Sequence, residues 1–255
     1  MQEKKFKQKR KLWYRGLKGL MKGRYKKPEF IYLGEKPTES SIILSNHEGT
    51  DAPMSLEIYA DFPVRFWGTA EMNSGLIKMY KYQSKVYYHE KKHWNLFGAR
   101  MFCLIASPLT NLFYKGLNLI STYRDGRFKT TIKESVDAIV NRKENVVIFP
   151  EKSPNGYVAE LEGFYAGFVV LAKVLKQKGI DVPIYVSYFK KQEKQFIFGK
   201  SVYYSELEKM FKTKEEIAEY LVNECNKLGK MTFEDGKAIE PKEASEEIKE
   251  TEESK

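Results

Sequence analysis

A histidine and an aspartate lie close together in a short polar segment that follows an apolar run. The segment is residues 45–51 (SNHEGTD), directly after Ile42–Leu44. Neutral imidazole accepts a proton from a hydroxyl near neutral pH, and a nearby carboxylate can fix its tautomer and stabilise the imidazolium. The segment therefore predicts a general base at His47 with Asp51 as its orienting partner. A turn or a helix cap with no chemical role is the alternative, because such pairs are common there.

Two later segments also place a charged residue just after an apolar run. Gly116–Thr122 predicts a strand followed by Arg124, and Val146–Phe149 predicts a buried strand followed by Pro150 and Glu151. A guanidinium in such a position can hold a phosphate through two hydrogen bonds, although a surface ion pair is the commoner role of an isolated arginine.

Taken in order, these segments resemble the motif blocks of the lysophospholipid acyltransferase (glycerol-phosphate acyltransferase-like) superfamily. Its members have an Asn-His-x4-Asp block, a strand ending in Arg, a Phe-Pro-Glu-Gly-Thr-Arg block and a late Val-Pro strand. The corresponding segments here begin at Asn46, Gly116, Phe149 and Val182, so the resemblance covers roughly residues 28–190.

The resemblance implies an O-acyltransferase of the 1-acylglycerol-3-phosphate acyltransferase type. Such an enzyme moves a fatty acyl group from acyl-CoA or acyl carrier protein to the hydroxyl of a lysophospholipid or glycerol-phosphate-like acceptor. It uses no metal and no cofactor besides the acyl donor. The residues that would carry this activity are His47 as base, Asp51 as its orienter, and Arg124, Glu151, Lys152 and Ser153 as substrate-binding residues.

The sequence departs from the family pattern at two places. Three residues instead of four separate His47 from Asp51, and one residue on a helical turn corresponds to a rotation of about 100°. In the third block, Lys152 stands in the position of the family's Gly and Pro154 in that of its Arg. These departures leave open a second function, that of a catalytically weakened relative that binds membrane or lipid without turnover.

The net charge of +10 is concentrated in the first residues of the chain. Residues 1–27 contain twelve Lys or Arg and one acidic residue, whereas residues 234–255 contain nine acidic residues and four Lys. The intervening chain is only mildly basic and has no recognised nucleic-acid motif, which disfavours nucleic-acid binding. Within the basic arm, helical spacing of its apolar residues predicts an amphipathic helix on an anionic membrane surface; a solvated basic helix is the alternative. Those apolar residues are Trp13, Leu17, Leu20 and Met21.

The order of apolar runs and amphipathic segments predicts an α/β fold with a mostly parallel sheet covered by helices, acyltransferase-like, preceded by the basic amphipathic helix. We expect three regions: a basic arm at 1–27, an acyltransferase-like domain at 28–233 and an acidic, disordered tail at 234–255. Helices are expected at 101–114, 128–142, 160–178 and 214–228, the first of them buried and bent at Pro108.

Several features predict a cytoplasmic protein bound peripherally to the inner face of the membrane. The longest apolar stretch, Met101–Leu109, is too short to span a bilayer, and no signal peptide is recognisable. The two cysteines form no close-spaced motif, as is usual in a reducing compartment. His89 and His93 match the His-Glu-x-x-His pattern of zinc proteases, but with lysines between them a solvated basic segment is the favoured interpretation.

Overall fold

The computed structural model describes residues 10–152, 159–234 and 237–239. The α-helices in this part of the chain are α1 (Leu12–Met21), α2 (Asp51–Tyr59), α3 (Ala70–Asn73), α4 (Leu76–Lys81), α5 (Leu96–Leu117), α6 (Phe128–Val140), α7 (Gly167–Gln177), α8 (Tyr204–Met210) and α9 (Lys214–Lys230), and a π-helix spans Tyr82–Lys91. The strands are β1 (Glu29–Tyr32), β2 (Ile42–Ser45), β3 (Val64–Thr69), β4 (Ile120–Thr122), β5 (Asn145–Ile148), β6 (Pro183–Lys190), β7 (Gln195–Phe198), β8 (Val202–Tyr203), β9 (Thr232–Glu234) and β10 (Lys237–Ile239).

The main sheet has the order β1-β7-β6-β2-β5-β3-β4, and β8 pairs with β6. Strands β6, β2, β5, β3 and β4 run parallel to their neighbours, whereas β7 is antiparallel to β6 and parallel to β1. The predicted α/β fold with a mostly parallel, helix-flanked sheet is therefore confirmed, with three strands of the opposite direction, β1, β7 and β8, at one side of the sheet.

Apolar layers on both faces of the sheet explain why its central strands have unbroken apolar sequences. In β2, Ile42 and Leu44 pack into the layer that contains α6, α7 and α9, and Ile43 packs into the opposite layer with α2 and the end of α5. Successive side chains of a strand point to opposite faces, so a strand that is covered on both faces needs an apolar residue at every position.

Two predicted elements have different bounds in the structure. The predicted strand from 116 begins only at Ile120, because α5 continues to Leu117 and ends where Asn118 adopts a left-handed conformation with φ 55°. The predicted helix 160–178 begins at Gly167, since the segment before it pairs with residues 150–152.

The N-terminal helix α1 is packed into the domain through Tyr14, which has no solvent exposure. A Cβ on Gly116 would lie 1.9 Å from the Tyr14 ring, so the glycine of α5 makes room for it. Arg10 and Lys18 both pair with the buried carboxylate of Glu57, at 2.9 and 3.5 Å. Residues 10–21 are therefore packed against the rest of the domain and do not form a separate arm.

The structure describes only part of the predicted C-terminal tail. Strands β9 and β10 form a two-stranded antiparallel sheet across the predicted boundary at residue 234. The expected disorder of the remaining tail falls on residues 240–255, which lie outside the described residues.

The prediction that the 101–114 helix is buried is wrong. From Leu96 to Leu109, the buried residues of α5 are small (Ala99, Cys103 and Ser107) and bulky apolar residues face outward, whereas Phe113 and Leu117 near its end are buried. Pro108 lies within the helix, which continues for nine residues beyond it. In the described part of the chain, α5 is the one helix long and apolar enough to cross a membrane by length and composition, with a mean hydropathy of 1.4 over an 18-residue window, of which 22% is buried.

Candidate active site

The five parallel strands end at one edge of the sheet, and a charged or titratable residue follows each of them. Along the strand order from β6 to β4 these residues are Lys191, His47, Glu151, Glu71 and Arg124. Ligands of open parallel sheets bind at this edge, where loops leave the carboxyl ends of the strands. The sheet topology thus collects residues from distant parts of the sequence at one place.

The turn that carries His47 has a conformation that fits its short spacing to Asp51. Glu48 and Gly49 both have positive φ, 41° and 68°, and α2 begins directly afterwards at Asp51. Two successive left-handed residues reverse the chain in few positions, and glycine adopts this conformation without the steric penalty that a side chain brings. The three residues between His47 and Asp51 therefore form a tight turn, and Asp51 is the first residue of α2.

Glu151 is the carboxylate that contacts this turn. Its Oε1 accepts a hydrogen bond from the backbone N–H of His47, joining the end of β5 to the loop after β2. Burial raises the pKa of Glu151 to about 7; the hydrogen bond from His47 acts in the opposite direction, and the charge of Glu48 raises the pKa further. A carboxyl group with a pKa near neutrality is suited to proton exchange or to binding a polar substrate group.

The imidazole of His47 is held in an apolar environment. The Phe149 ring lies beside it with 4.9 Å between ring centroids. Burial lowers the pKa of His47 to about 4, against a hydrogen bond with the Gly49 backbone that favours the charged form, and the positive charge of Lys91 lowers the pKa further. The imidazole is therefore neutral at physiological pH, which is the state that a general base requires.

Asp51 forms an ion pair with Lys191 at 2.8 Å. This side chain was predicted to orient His47, and that role stays a prediction. Interactions with the backbone of Gly49 and with the backbone of His47 itself favour the charged imidazole. Lys191 was not singled out from the sequence, although the rule that identified His47 and Glu151 applies to it as well, since it directly follows β6.

A cleft of about 450 Å³ opens beside the His47 turn. One wall is formed by residues 48–51, and the opposite wall by the end of the π-helix and the loop after it. Four cationic side chains line the cleft against two carboxylates, Glu48 and Asp51, so the cleft attracts anionic groups. These cations are Arg24, Lys91, Lys92 and Lys191.

Arg124 lies further along the same edge and is exposed. Its guanidinium lies over the ring of Tyr165, 5.3 Å from the centroid. The backbone N–H of Tyr165 donates to the carbonyl of Pro150 at 2.7 Å, so Tyr165 connects Arg124 to the Glu151 segment. Tyr165 was not predicted from the sequence, where nothing distinguishes it from other aromatic residues.

The two remaining predicted substrate-binding residues are adjacent in sequence. The side chain of Lys152 is exposed, and its backbone N–H donates to the carbonyl of Gly163 at 2.8 Å. Ser153 lies outside the described residues, as does Pro154. The structure therefore brings His47 and Glu151 into contact, places Asp51 at the cleft, and sets Arg124 apart beside Tyr165.

Asn46, which directly precedes His47, is held in place by two hydrogen bonds to the backbone of Phe189. Its Nδ2 donates to the carbonyl of Phe189 at 3.0 Å, and its Oδ1 accepts from the N–H of Phe189 at 2.6 Å. This buried pair of hydrogen bonds joins the ends of β2 and β6. Asn46 therefore positions the start of the His47 turn.

The zinc-protease pattern at His89 and His93 is broken in the structure. The π-helix ends at Lys91, and His93 lies beyond it with φ 56°. Nδ1 of His89 lies 2.8 Å from the carbonyl oxygen of Trp94. Among residues 10–152, 159–234 and 237–239, no group of three or more His, Cys, Asp or Glu side chains is arranged to hold a metal ion.

Comparison with protein-family models gives no match, and comparison with curated proteins gives none either.

Proposed function

We propose that this protein is an O-acyltransferase that transfers a fatty acyl group from acyl-CoA or acyl carrier protein to the hydroxyl of a lysophospholipid or glycerol-phosphate-like acceptor. In this proposal the sheet is an acyltransferase-like fold, and the enzyme works in phospholipid synthesis while bound peripherally to the cytoplasmic face of a membrane. The motif order in the sequence and the edge at which the strands end support it.

The observation that carries the proposal is the state of His47. Its imidazole is neutral at physiological pH because burial lowers its pKa to about 4, and it lies at the turn that forms one wall of a cationic cleft. A neutral base beside a cleft that attracts anions fits a reaction in which both the donor and the acceptor carry phosphate groups.

The proposed reaction involves two proton transfers. His47 takes the proton of the acceptor hydroxyl as its oxygen attacks the thioester carbonyl carbon. The tetrahedral intermediate then expels the thiolate as the C–S bond breaks, and the imidazolium returns the proton to the sulfur. The products are the new ester and the free thiol, and the imidazole is neutral again.

The acidic and cationic groups around His47 have separate roles in this scheme. Glu151 holds the base in place through the backbone N–H of His47 and borders the acceptor site. Arg124 and Lys152 bind the acceptor phosphate, and the cleft cations bind the phosphate groups of the donor. Asp51 orients this end of the cleft through its ion pair with Lys191.

The decisive experiment combines labelled acyl-CoA or acyl carrier protein with a panel of acceptors, including lysophosphatidic acid, glycerol 3-phosphate and an uncharged alcohol. We expect transfer to a phosphate-bearing acceptor and a loss of about a hundredfold or more in His47→Ala at equal folded fraction. His89→Ala is the matched control, because this histidine is exposed and distant in sequence from the strand-end residues. Equal rates for wild type and His47→Ala would exclude the general-base role.

The second candidate is a lipid-binding relative without turnover. It is favoured by the pairing of Asp51 with Lys191 and by the burial that lowers the pKa of His47. This alternative predicts no transfer with any donor or acceptor in the panel. It also predicts that the full chain binds lipid vesicles equally well with and without the His47→Ala substitution.

A further inference from the structure

The outward side of α4 and α5 is an apolar surface that no described element of the protein covers. Ile105, Phe97 and Ile77 are 84%, 74% and 71% exposed. Met101, Leu104 and Leu109 extend this surface along α5, and we refer to these six residues as the α4–α5 face. Large contiguous apolar patches on a folded protein mark an interaction surface, because their exposure to water is unfavourable.

The packing of α5 shows that this exposure is a property of the helix and not of a single side chain. At about 100° per residue, the exposed positions of α5 occupy one side and the buried ones the other. The buried side has small residues, such as Ala99, Cys103 and Ser107, where α5 lies against the π-helix. Up to Leu109, α5 directs small residues inward and large apolar residues outward, as suits an apolar medium, whereas Phe113 and Leu117 near its end are buried in the domain.

The charged residues of α4 and α5 indicate that this apolar medium is the interior of an anionic bilayer. The sequences of α4 and α5 contain Lys78, Lys81, Arg100 and Lys115 and no acidic residue. All four cations are exposed. Long cationic side chains can extend from an apolar surface to anionic lipid headgroups, and each such residue near an anionic bilayer strengthens binding. Trp94, two residues before α5, is of the aromatic type enriched where lipid meets water.

The chain connections exclude a transmembrane orientation for α5 in this fold. The helix follows the π-helix, whose end lines the His47 cleft, and it leads through Asn118 into β4, which is hydrogen-bonded to β3. Both ends of α5 are thus attached to the same domain, on the same side of any bilayer. A helix of this kind lies along the interface with one side in the acyl-chain region.

We infer that the α4–α5 face inserts into the interfacial layer of an anionic bilayer and that it anchors the protein there. The inference names the surface that meets the membrane partner of the proposed function, and it rests on that part of the proposal. Because the π-helix joins α4 to α5 and also borders the cleft, insertion places the cleft next to the lipid surface. An acceptor with an apolar chain then reaches His47 without passing through bulk water.

The anchor assigned here differs from the N-terminal helix predicted from the sequence. Tyr14 of α1 is buried, and both Lys18 of α1 and Arg10 just before it pair with Glu57, so several groups of this segment are used within the domain. Trp13 on α1 and Trp94 just before α5 are nearly equally exposed, at 41% and 43%. The two tryptophans therefore report separately on the two candidate surfaces.

The first measurement is binding of the full chain to vesicles of phosphatidylcholine mixed with phosphatidylglycerol. We expect Ile105→Ser to weaken binding about tenfold or more, because it removes a large apolar side chain from the side that enters the bilayer. Met101→Ser is expected to weaken it as well, whereas Met210→Ser, at an exposed methionine of α8, is the matched control without effect. Arg100→Gln should weaken binding about fivefold on these vesicles and have no effect on pure phosphatidylcholine.

The second measurement is fluorescence quenching by brominated lipids. Trp94→Phe should remove most of the lipid-dependent quenching, and Trp13→Phe should leave it unchanged. The reverse pattern would overturn the inference in favour of α1. Loss of self-association in Ile105→Ser with unchanged vesicle binding would also overturn it, since the face would then be covered by a second copy of the chain.

Transfer to a soluble, short-chain acceptor separates this inference from the proposed reaction. Retained transfer with vesicle binding unaffected by Ile105→Ser would refute the inference and leave the reaction standing. Vesicle binding that depends on Ile105, in a protein that transfers no acyl group to any acceptor, would support the inference and refute the reaction.

Discussion

The carboxylate of Glu151 accepts a hydrogen bond from the backbone N–H of His47, and this contact ties the end of β5 to the turn after β2. Burial shifts the pKa values of these two side chains in opposite directions. It raises the pKa of Glu151 to about 7 and lowers the pKa of His47 to about 4. Between these pH values both groups favour their neutral forms in the folded protein.

These shifts predict how stability depends on pH. The pKa of Glu151 rises from 4.5 on folding, so its contribution to stability falls as pH increases between about 4.5 and 7. The pKa of His47 falls from 6.5, so its contribution increases with pH between about 4 and 6.5. Each slope is at most about 1.4 kcal/mol per pH unit, and the two oppose each other.

We therefore expect Glu151→Gln to make the free energy of unfolding increase more steeply with pH than in wild type, and His47→Gln to make it increase less steeply. Urea denaturation at a series of pH values between about 4 and 7 measures both differences. Parallel curves for wild type and the two variants would mean that neither group has a shifted pKa in the folded protein.

Asn46→Ala should reduce both stability and transfer. The substitution removes two hydrogen bonds to Phe189 and should cost about 1–3 kcal/mol. Asn145 is the matched control, because it is also buried and bridges Thr38 and Pro63 at the opposite ends of the strands. Asn145→Ala should lower stability to a similar extent and leave the rate per folded molecule unchanged. Equal losses of rate in the two variants would contradict a positioning role for Asn46.

Phe149→Ala should raise the pKa of His47 from about 4 towards 6.5. The Phe149 ring lies against the imidazole, and burial is the largest cause of the lowered pKa. Titration of the His47 ring by NMR measures the change. Phe128→Ala, at a ring that packs against Trp67, serves as the control and should leave the His47 titration unchanged. An unchanged His47 pKa in Phe149→Ala would mean that residues other than Phe149 exclude water from the imidazole.

Gly116→Ala should destabilise the protein through Tyr14. An alanine at this position in a helix would otherwise be favourable by about 1 kcal/mol, but its Cβ would overlap the Tyr14 ring. In a Tyr14→Ala background the same substitution should therefore become neutral or stabilising. A double-mutant cycle of thermal or urea unfolding measures this coupling, and additive effects would show that α1 is not packed against α5 at this point.

The same packing changes the expected result of deleting residues 1–24. The sequence alone predicts that the deletion leaves a folded domain with weaker vesicle binding. In the structure, the deletion also removes Tyr14 and leaves the buried Glu57 without Arg10 and Lys18. We expect a loss of about 3–5 kcal/mol in the free energy of unfolding, since an uncompensated buried charge is strongly destabilising.

Arg124→Ala should raise the KM for a phosphate-bearing acceptor about tenfold or more and change the KM for the acyl donor little. Loss of a charge-assisted contact costs about 1.5–3 kcal/mol. The matched control is Arg127→Ala, because Arg127 is also exposed but pairs with Asp125 at 2.7 Å. Steady-state kinetics with both substrates varied provide the measurement. An unchanged acceptor KM in Arg124→Ala would indicate that its contact with Tyr165 is structural.

The sequence by itself determined the central strands and the edge where the site lies. Apolar runs such as Ile42–Leu44 and Val146–Phe149 have the composition of strands covered on both faces, and parallel strands bring the residues that come directly after them to one edge. His47, Glu151 and Arg124 could therefore be assigned to that edge without coordinates. Helix α9 was likewise predictable, because the capping Thr213 and its apolar periodicity are local features.

Only the tertiary structure decided which of these residues meet. The contact of Glu151 with the N–H of His47 joins residues 104 positions apart and depends on β2 and β5 being neighbours. Strand order is set by the packing of the whole sheet, and local periodicity does not encode it. The pairing of Asp51 with Lys191 is decided in the same way.

The orientation of α5 was also beyond the reach of the sequence. Its apolar composition indicates burial equally in a protein core and in a lipid surface, and the distinction depends on which side of the helix meets the rest of the chain. Contacts with the π-helix and with α1 select the side that carries Ala99, Cys103 and Gly116. Close approach of neighbouring helices favours small residues at these positions, and up to Leu109 the large apolar residues therefore lie on the outside.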